Sequence, residues 1–205
     1  MFAAPVARSP IAPAAPVQLQ DGWEVSGRSS SAALQLADRS ALSKVLVRAG
    51  AGGAVQDGLG VGSGRAVRRA DGVLVVGSGP GEWLLVGPPN QARSLAGSVP
   101  APDGGGLVST VDVTHGRALV RLTGDAAPAL LAKVCAIDLR DRATPDGRAF
   151  RSSVAKVVVD VVRDDVDGVR SYLLHVERST GQYLFDALLD AGSEFGIEPG
   201  GFDPR

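Results

Sequence analysis

Two histidines, one cysteine and two glycine-spaced loops are the residues of this chain whose types could do chemistry. His115 and His175, taken with Asp112, Ser109 and Ser171, could be assembled into a nucleophile, a base and an orienting carboxylate. Their local patterns speak against it. His115 sits in the tight turn Thr114-His-Gly116, and His175 alternates with Tyr172 and Leu174 along a strand, so both rings take surface or structural roles. No recognisable spacing supplies the carboxylates that would turn the histidines into a metal site. Cys135 follows the apolar stripe of a helix, where cysteine acts as a small buried hydrophobe. A nucleophilic thiolate wants electropositive neighbours, and only Lys133 and Arg140 lie near it in sequence. Gly58, Gly60, Gly62 and Gly64, and again Gly77, Gly79 and Gly81, invite a phosphate-binding reading. That chemistry needs a strand before the loop and a helix dipole after it. The second series leads into a strand and the first runs on to Ala66 and Val67, so both read as connections. On these grounds no catalytic, cofactor-binding or metal-ligating residue is assigned.

Composition narrows the classes further. With 205 residues, 44% of them hydrophobic, the chain can bury one large domain or two small interlocked ones. A net charge of -1 offers no basic excess to neutralise phosphates, which excludes nucleic acid and anionic membranes as expected partners. Lysine occurs only at Lys44, Lys133 and Lys156, so the chain's cationic chemistry is almost entirely guanidinium. One cysteine makes no internal disulfide, no apolar run approaches ~20 residues, and the N-terminus lacks a signal-peptide pattern. The expected compartment is the cytoplasm.

Any functional group must be positioned by the elements around it. Residues 1–31 carry Pro5, Pro10, Pro13 and Pro16, then Gly22, Gly27 and a serine run, and are expected to form a flexible arm able to order against a partner. The remainder, 32–205, is expected to be one domain that folds from about Leu34 onward. Val45 to Val47 reads as a strand followed by a short, glycine-weakened helix. Val73 to Val76 and Trp83 to Val86 read as strands joined by the turn Gly77 to Gly81. A helix from Asn90 to Leu95 and a strand from Leu107 to Val113 follow. Ala118, Val120 and Leu122 alternate with Arg117 and Arg121, the pattern of a half-buried strand.

Asp125 is expected to cap a helix whose Ala127, Leu130, Leu131 and Val134 line one face, with Pro128 in its first turn. After a loop from Arg140 to Gly147, Val154 to Val162 and Tyr172 to Val176 should pair as a hairpin across Asp164 to Gly168. Ser179 and Gln182 resemble a capping box for a helix with Leu184, Ala187, Leu188 and Ala191 on one face and Gly192 as its terminal glycine. Val45-Leu-Val-Arg48 and Trp83-Leu-Leu-Val86 are echoed by Ala118-Leu-Val-Arg121 and Tyr172-Leu-Leu-His175. The echo suggests a degenerate repeat of two interlocked ferredoxin-like units, about 34–105 and 106–200, in the α+β class.

The segment Leu122-Thr-Gly-Asp-Ala-Ala-Pro-Ala-Leu-Leu-Ala-Lys-Val-Cys-Ala-Ile-Asp-Leu139 resembles the central signature of the sarcosine oxidase gamma subunit family. Pro145-Asp-Gly147, Arg151, and Arg178-Ser-Thr-Gly-Gln-Tyr-Leu184 leading to Glu194-Phe-Gly196 extend the likeness, as do Asp38-Arg-Ser40, Glu82-Trp-Leu-Leu-Val-Gly-Pro88 and Asp112-Val-Thr-His-Gly-Arg117 upstream. These motifs keep their order from about residue 34 to 196 and leave the arm unmatched. The resemblance implies a structural subunit of a heterotetrameric oxidase, assembled with alpha, beta and delta subunits that carry FAD, FMN, NAD, tetrahydrofolate and zinc. It also implies the aminomethyltransferase-like folate-binding fold. The folate enzymes of that superfamily use an acidic pair and a Gly-Tyr-Thr-Gly-Glu loop, whereas here only Asp71 stands near the first position and Arg178-Ser-Thr-Gly181 occupies the second. A stand-alone folate-binding module is the alternative reading.

Overall fold

Strands whose two alternating sets of side chains are both apolar must be covered on both faces. Val45 and Val47 alternate with Leu46, Trp83 and Leu85 with Leu84 and Val86, and Ala118 and Val120 with Leu119. The computed structural model, which describes residues 5–102, 104 and 106–204, meets that demand with two sheets face to face, each backed by helices. The first four residues of the expected arm lie outside the described residues.

The chain begins with a small sheet of β1 (Ala7–Arg8), β2 (Val17–Gln20) and β3 (Trp23–Ser26), in the order β1-β3-β2. Strands thus stand where the sequence leads one to expect a flexible arm. Asp21 and Gly22, at φ 51° and 82°, make the tight turn between β2 and β3, a two-residue signal for a hairpin. Trp23 and Val25 bury themselves against Ala41 and Phe202. The small sheet therefore borrows its core from distant segments, which local apolar periodicity does not report.

Next come β4 (Gln35–Asp38), β5 (Ser43–Ala49), α1 (Gly53–Leu59), β6 (Ala66–Arg68), β7 (Leu74–Gly79), β8 (Glu82–Gly87), α2 (Ala92–Gly97) and β9 (Val108–Asp112). They are followed by β10 (Arg117–Thr123), α3 (Ala127–Val134), β11 (Ala149–Val154), β12 (Val157–Arg163), β13 (Ser171–Glu177), α4 (Gly181–Gly192) and β14 (Glu198–Pro199). One sheet runs β6-β7-β8-β5-β9 and the other β11-β12-β13-β10-β4-β14. This is a mixed α+β fold rich in sheet.

Each sheet has one face on helices. Val45, Val47, Val75, Trp83 and Leu85 pack with Val55 and Leu59 of α1 and Leu95 of α2. Val120, Leu122, Val159, Val161 and Leu174 pack with Leu130 and Leu131 of α3 and Leu184 and Leu188 of α4. Between the sheets, Leu74, Val76, Leu84 and Val86 meet Leu119, Ala149, Val162 and Leu173. β10 is therefore buried on both faces: the side expected to face solvent holds Leu119 at 1% exposure and Arg121 at 6%.

The seam between the sheets is closed on both sides. At one edge β6 and β11 run into each other, with Ala66 N donating to Gly147 O at 2.7 Å and Ala149 N to Gly64 O at 3.0 Å. At the other, the chain crosses from β4 to β5 through a buried corner. There Lys44 Nζ donates to Ser40 O (2.6 Å) and Leu42 O (2.8 Å), and Leu119 N donates to Ser40 Oγ. Burial lowers Lys44 from an ordinary 10.5 to about 7, with the charge of Asp38 opposing the shift. Burial also raises Asp38, against hydrogen bonds from Ser40 and Ser9 that favour its ionised form.

Several local expectations are corrected. The run Val154 to Val162 is two strands, because Ala155 and Lys156 adopt φ of 47° and 69° and fold β11 onto β12 in a primed turn without glycine. Asp125 makes no cap; it is exposed and lies 3.9 Å from Arg170. The expected capping box is also absent, since Gln182 instead accepts from Ala12 N at 2.7 Å and donates to Asp186. Gly192 is still helical, and the left-handed terminal glycine is Gly196, after one 3₁₀ turn. Gly192 is required for space: a Cβ there would lie 2.6 Å from Leu130 Cδ1.

Two outcomes follow from this packing. Leu188 is fully buried between α4 and the sheet, so Leu188→Ala should cost ~2–5 kcal/mol in urea denaturation through lost transfer energy and a residual cavity, while Val158→Ala, at a strongly exposed position, should change stability by no more than ~0.5 kcal/mol. Lys44 is held near 7 in the fold against 10.5 when unfolded, so between those values the unfolded chain binds more protons. The Lys44 contribution to unfolding free energy must then rise with pH from about 7 towards 10.5. Denaturation at pH 7, 8, 9 and 10 should show that slope in the wild type and its loss in Lys44→Met.

Candidate ligand cleft

Because the seam is apolar only in its middle, its ends are open and polar. At one end lies a cleft of about 670 Å³. Leu42, Val86 and Leu173 form its apolar walls, and Arg39, Arg68 and Arg121 contribute guanidiniums. Strand phase explains the last: along β10, Arg117, Leu119 and Arg121 share the inter-sheet face, and Arg121 lies beyond the apolar patch.

The guanidiniums are committed to the protein itself. Arg121 Nη2 donates to Asp164 Oδ2 at 2.6 Å, and its Nη1 donates to Asp164 O and to Ser171 Oγ. Arg68, from the opposite sheet, donates to the same Asp164 Oδ2 at 2.5 Å and to Gly72 O at 2.8 Å. One buried carboxylate thus joins an arginine from each sheet. Arg39 donates to Gly201 O at 2.8 Å and lies over the Phe202 ring. The segment after β14 forms part of the cleft wall, held by Gly200 N to Leu36 O and Phe202 N to Ser26 O. The cleft can enclose an amphipathic molecule between apolar walls. An anion would have to compete with Asp164 for the arginines.

The residues singled out in the sequence are scattered. His115 is exposed and stacks on Trp23 with ring centroids 4.7 Å apart. Asp112 accepts from Thr114 N and so shapes the β9–β10 turn, while Ser109 is exposed on β9. Ser171 and His175 share a face of β13 but stand four residues apart, ~13 Å along the strand. No triad forms from them. Cys135 is buried, with Sγ 3.8 Å from Ser152 Oγ. Lys133 turns to Ala191 O and Glu194, and Arg140 to Asp138, so neither activates the thiol.

The glycine series serve backbone packing. A Cβ on Gly77 would collide with Gly62 O, and the two loops are linked by Gly64 N donating to Gly77 O at 2.8 Å. The two places compared with folate enzymes are not brought together. Asp71 lines the cleft and pairs with Arg69. Arg178 to Gly181 lies at the other end of β13, where Arg178 donates to Arg8 O and Pro10 packs on Gly181. Sequence reasoning missed Arg39, Arg68 and Asp164. The available hint was Arg121, a charge in phase with Leu119 on a strand otherwise buried. Among the described residues no group of three His, Cys, Asp or Glu side chains is placed to hold a metal ion.

Comparison with known proteins agrees with this architecture. The GCVT N-terminal domain family matches residues 74–205. The aminomethyltransferase T of the glycine cleavage system from Bartonella henselae superposes over 90% of this chain and 55% of its own, with a TM-score of 0.64 at 15% identity, which establishes the fold class. A chain of the heterotetrameric sarcosine oxidase from Corynebacterium sp. U-96, in complex with pyrrole 2-carboxylate, superposes over 83% of this chain and 89% of its own, with a TM-score of 0.67 at 25% identity. Sarcosine oxidase subunit gamma of Corynebacterium sp. strain P-1 is 31% identical over 83% of this chain and 86% of its own length. The Arthrobacter subunit gamma is also 31% identical, over 63% of its length, just under two thirds. The chain belongs to the sarcosine oxidase gamma subunit family.

The shared carboxylate generates a test of the cleft. Removing one partner from a buried ion pair strands the other, at a cost of ~3–5 kcal/mol. Asp164→Ala should therefore lower the unfolding free energy by that order, because it leaves Arg121, whose side chain is 7% exposed, without its carboxylate. Arg69→Ala, which removes an exposed partner of Asp71, should melt close to wild type in the same calorimetric series.

Proposed function

We propose that this chain is a structural, non-catalytic gamma subunit of a cytoplasmic heterotetrameric sarcosine oxidase. In this reading sarcosine is oxidatively demethylated on the other subunits. The alpha, beta and delta subunits would carry FAD, FMN, NAD, tetrahydrofolate and zinc. The observation that carries it is the 31% identity to subunit gamma across 83% of the chain, together with the superposition on a chain of the heterotetrameric enzyme. The engagement of Arg121 and Arg68 by Asp164 supports it, because those donors already have a partner.

Residues 32–205 form the gamma-like domain in this proposal, built from two interlocked ferredoxin-like units. The matching strand orders favour that view: β7-β8-β5-β9 in one sheet corresponds to β12-β13-β10-β4 in the other. In the second unit the final position is filled by β4, which precedes β5 in sequence. Residues 1–31 are then an appendage, its small sheet resting on Ala41 and Phe202.

The size of the cleft favours one rival reading, a stand-alone folate-binding module, since about 670 Å³ falls within the ~300–1,000 Å³ of small-molecule sites. Purification of the chain alone and with its partners separates the two. The isolated chain is expected to show no flavin absorbance and no sarcosine oxidation, and to leave tetrahydrofolate unbound at micromolar concentration. In the assembled complex, His115→Ala and Cys135→Ala should leave turnover nearly unchanged. Micromolar folate binding by the isolated chain would replace this proposal with its rival.

A further inference from the structure

Each sheet ends in edge strands whose outer N–H and C=O groups need partners, and several of those edges are dealt with inside the chain. β6 and β11 meet through Ala66 N to Gly147 O and Ala149 N to Gly64 O. Farther along β11, Arg151 turns to Glu82 of the facing sheet at 3.2 Å, beside a small cleft that His175 also borders. β14 is two residues long and ends in Pro199, which has no N–H to offer. β9 has no such device. It is the outer strand of its sheet, and its sequence Val108-Ser-Thr-Val-Asp112 contains no proline, lysine or arginine.

The ladder with β5 tells which backbone groups of β9 are bare. Val113 N donates to Lys44 O and Lys44 N donates to Thr114 Oγ1, so Lys44 turns its backbone towards β9. Ala49 N, in the opposite phase, donates to Gly81 O on the β8 side. Antiparallel pairing alternates, so Leu46 and Arg48 also face β9, where they meet Val111 and Ser109. The N–H and C=O groups of Val108, Thr110 and Asp112 therefore point away from β5. None of these groups has a backbone partner among the described residues.

Their spacing is self-complementary. Laid antiparallel on a second β9, with Thr110 opposite Thr110, the three residues exchange N–H···O=C bonds as Val108 with Asp112, Thr110 with Thr110 and Asp112 with Val108. That register uses every bare group on both strands. The side chains agree with it. Across the axis Val111 stands opposite Ser109 of the second copy and diagonal to its Val111 and Leu107. Val111 and Leu107 are 49% and 90% exposed in the single chain, so the pairing covers apolar side chains that otherwise face water. Thr110 meets its own counterpart, a favourable cross-strand pair. The strand's one charge, Asp112, lies opposite Val108 and ~14 Å along the strand from the second Asp112, so no like charges meet.

We propose that β9 is a self-association edge, at which a second copy of this chain adds its own β9 antiparallel about a two-fold axis through Thr110. The two β6-β7-β8-β5-β9 sheets then become one. Because the contact is isologous, it closes at two copies and does not grow into a filament. One strand pair lies at the small end of specific interfaces, below ~1,200 Å² of buried surface, so the dimer is weak. The inference concerns the free chain and does not rest on the oxidase assignment, since a complex that holds one copy leaves the same edge to another chain.

Sedimentation of the full chain over a hundredfold range of concentration should show reversible passage from monomer to dimer and nothing larger. Residue-resolved amide exchange should locate the contact: Val108, Thr110 and Asp112 gain at least tenfold protection as the dimer forms, and Ser109 and Val111, already bonded to β5, gain less. Thr110→Pro removes the central outward N–H while leaving the β5 ladder its donors. Val111→Lys sets like charges across the axis, and it changes an exposed side chain, so it reports even where Thr110→Pro fails to fold. Each variant should weaken dimerisation at least tenfold. The proposal fails if the chain stays monomeric at the highest concentration, if species larger than a dimer form, or if folded Val111→Lys dimerises like wild type. It fails equally if the β9 amides become protected only when other oxidase subunits are added.

Discussion

Two sheets that each carry helices on one face have only their other faces left to share, and everything else in this protein depends on how that shared seam is closed. Its apolar part is narrow, a strip formed by Leu74, Val76, Leu84 and Val86 against Leu119, Ala149, Val162 and Leu173. Beyond the strip the same strands present arginines and carboxylates, because residues two apart on a strand share a face whatever their chemistry. The charges are partly withdrawn from water there, so they must find one another. Asp164 joins Arg121 and Arg68 at one end, and Glu82 joins Arg151 and Arg48 at the other.

Guanidinium suits this arrangement better than ammonium. It stays charged when buried and spreads its donors across two or three acceptors in one plane. Arg121, Arg151 and Arg163 each contact more than one acceptor. The one lysine placed inside the corner, Lys44, shows the contrast: burial shifts its protonation towards neutrality, and its amine is served by backbone carbonyls. The predominance of arginine over lysine in the sequence thus has structural work at both ends of the seam.

The same constraint bears on how the chain fits an assembly. Its sheets and helices satisfy one another, and the segment after β14 packs Phe202 on Trp23 and Ala41. The small sheet inverts the usual pattern, since Val17 and Leu19 are exposed while Gln18 and Gln20 share the face of Val25 and Trp23. The chain shares its fold with the aminomethyltransferase T of the glycine cleavage system. The two places compared with the folate machinery, near Asp71 and at Arg178 to Gly181, stand at opposite ends of β13's length.

Much was legible before any coordinates. Apolar stripes at i, i+3 and i+4 located α3 and α4, alternation located β10, short apolar runs bounded by turn residues located β5, β8 and β13, and ordered motifs pointed to the family. Those signals are local, carried by residues within one or two turns of chain. The helix caps failed because Asp125 and Gln182 found partners elsewhere, in Arg170 and Ala12. The β11–β12 turn was hidden because Ala155 and Lys156 adopt a conformation for which they carry no sequence signature. Only the tertiary structure decided that Leu119 and Arg121 face a second sheet, that Asp164 serves arginines 43 and 96 residues away, and that His175 borders a cleft. Periodicity reports that a face is apolar, whereas the partner of a buried charge is chosen by the fold, from residues that no local pattern connects.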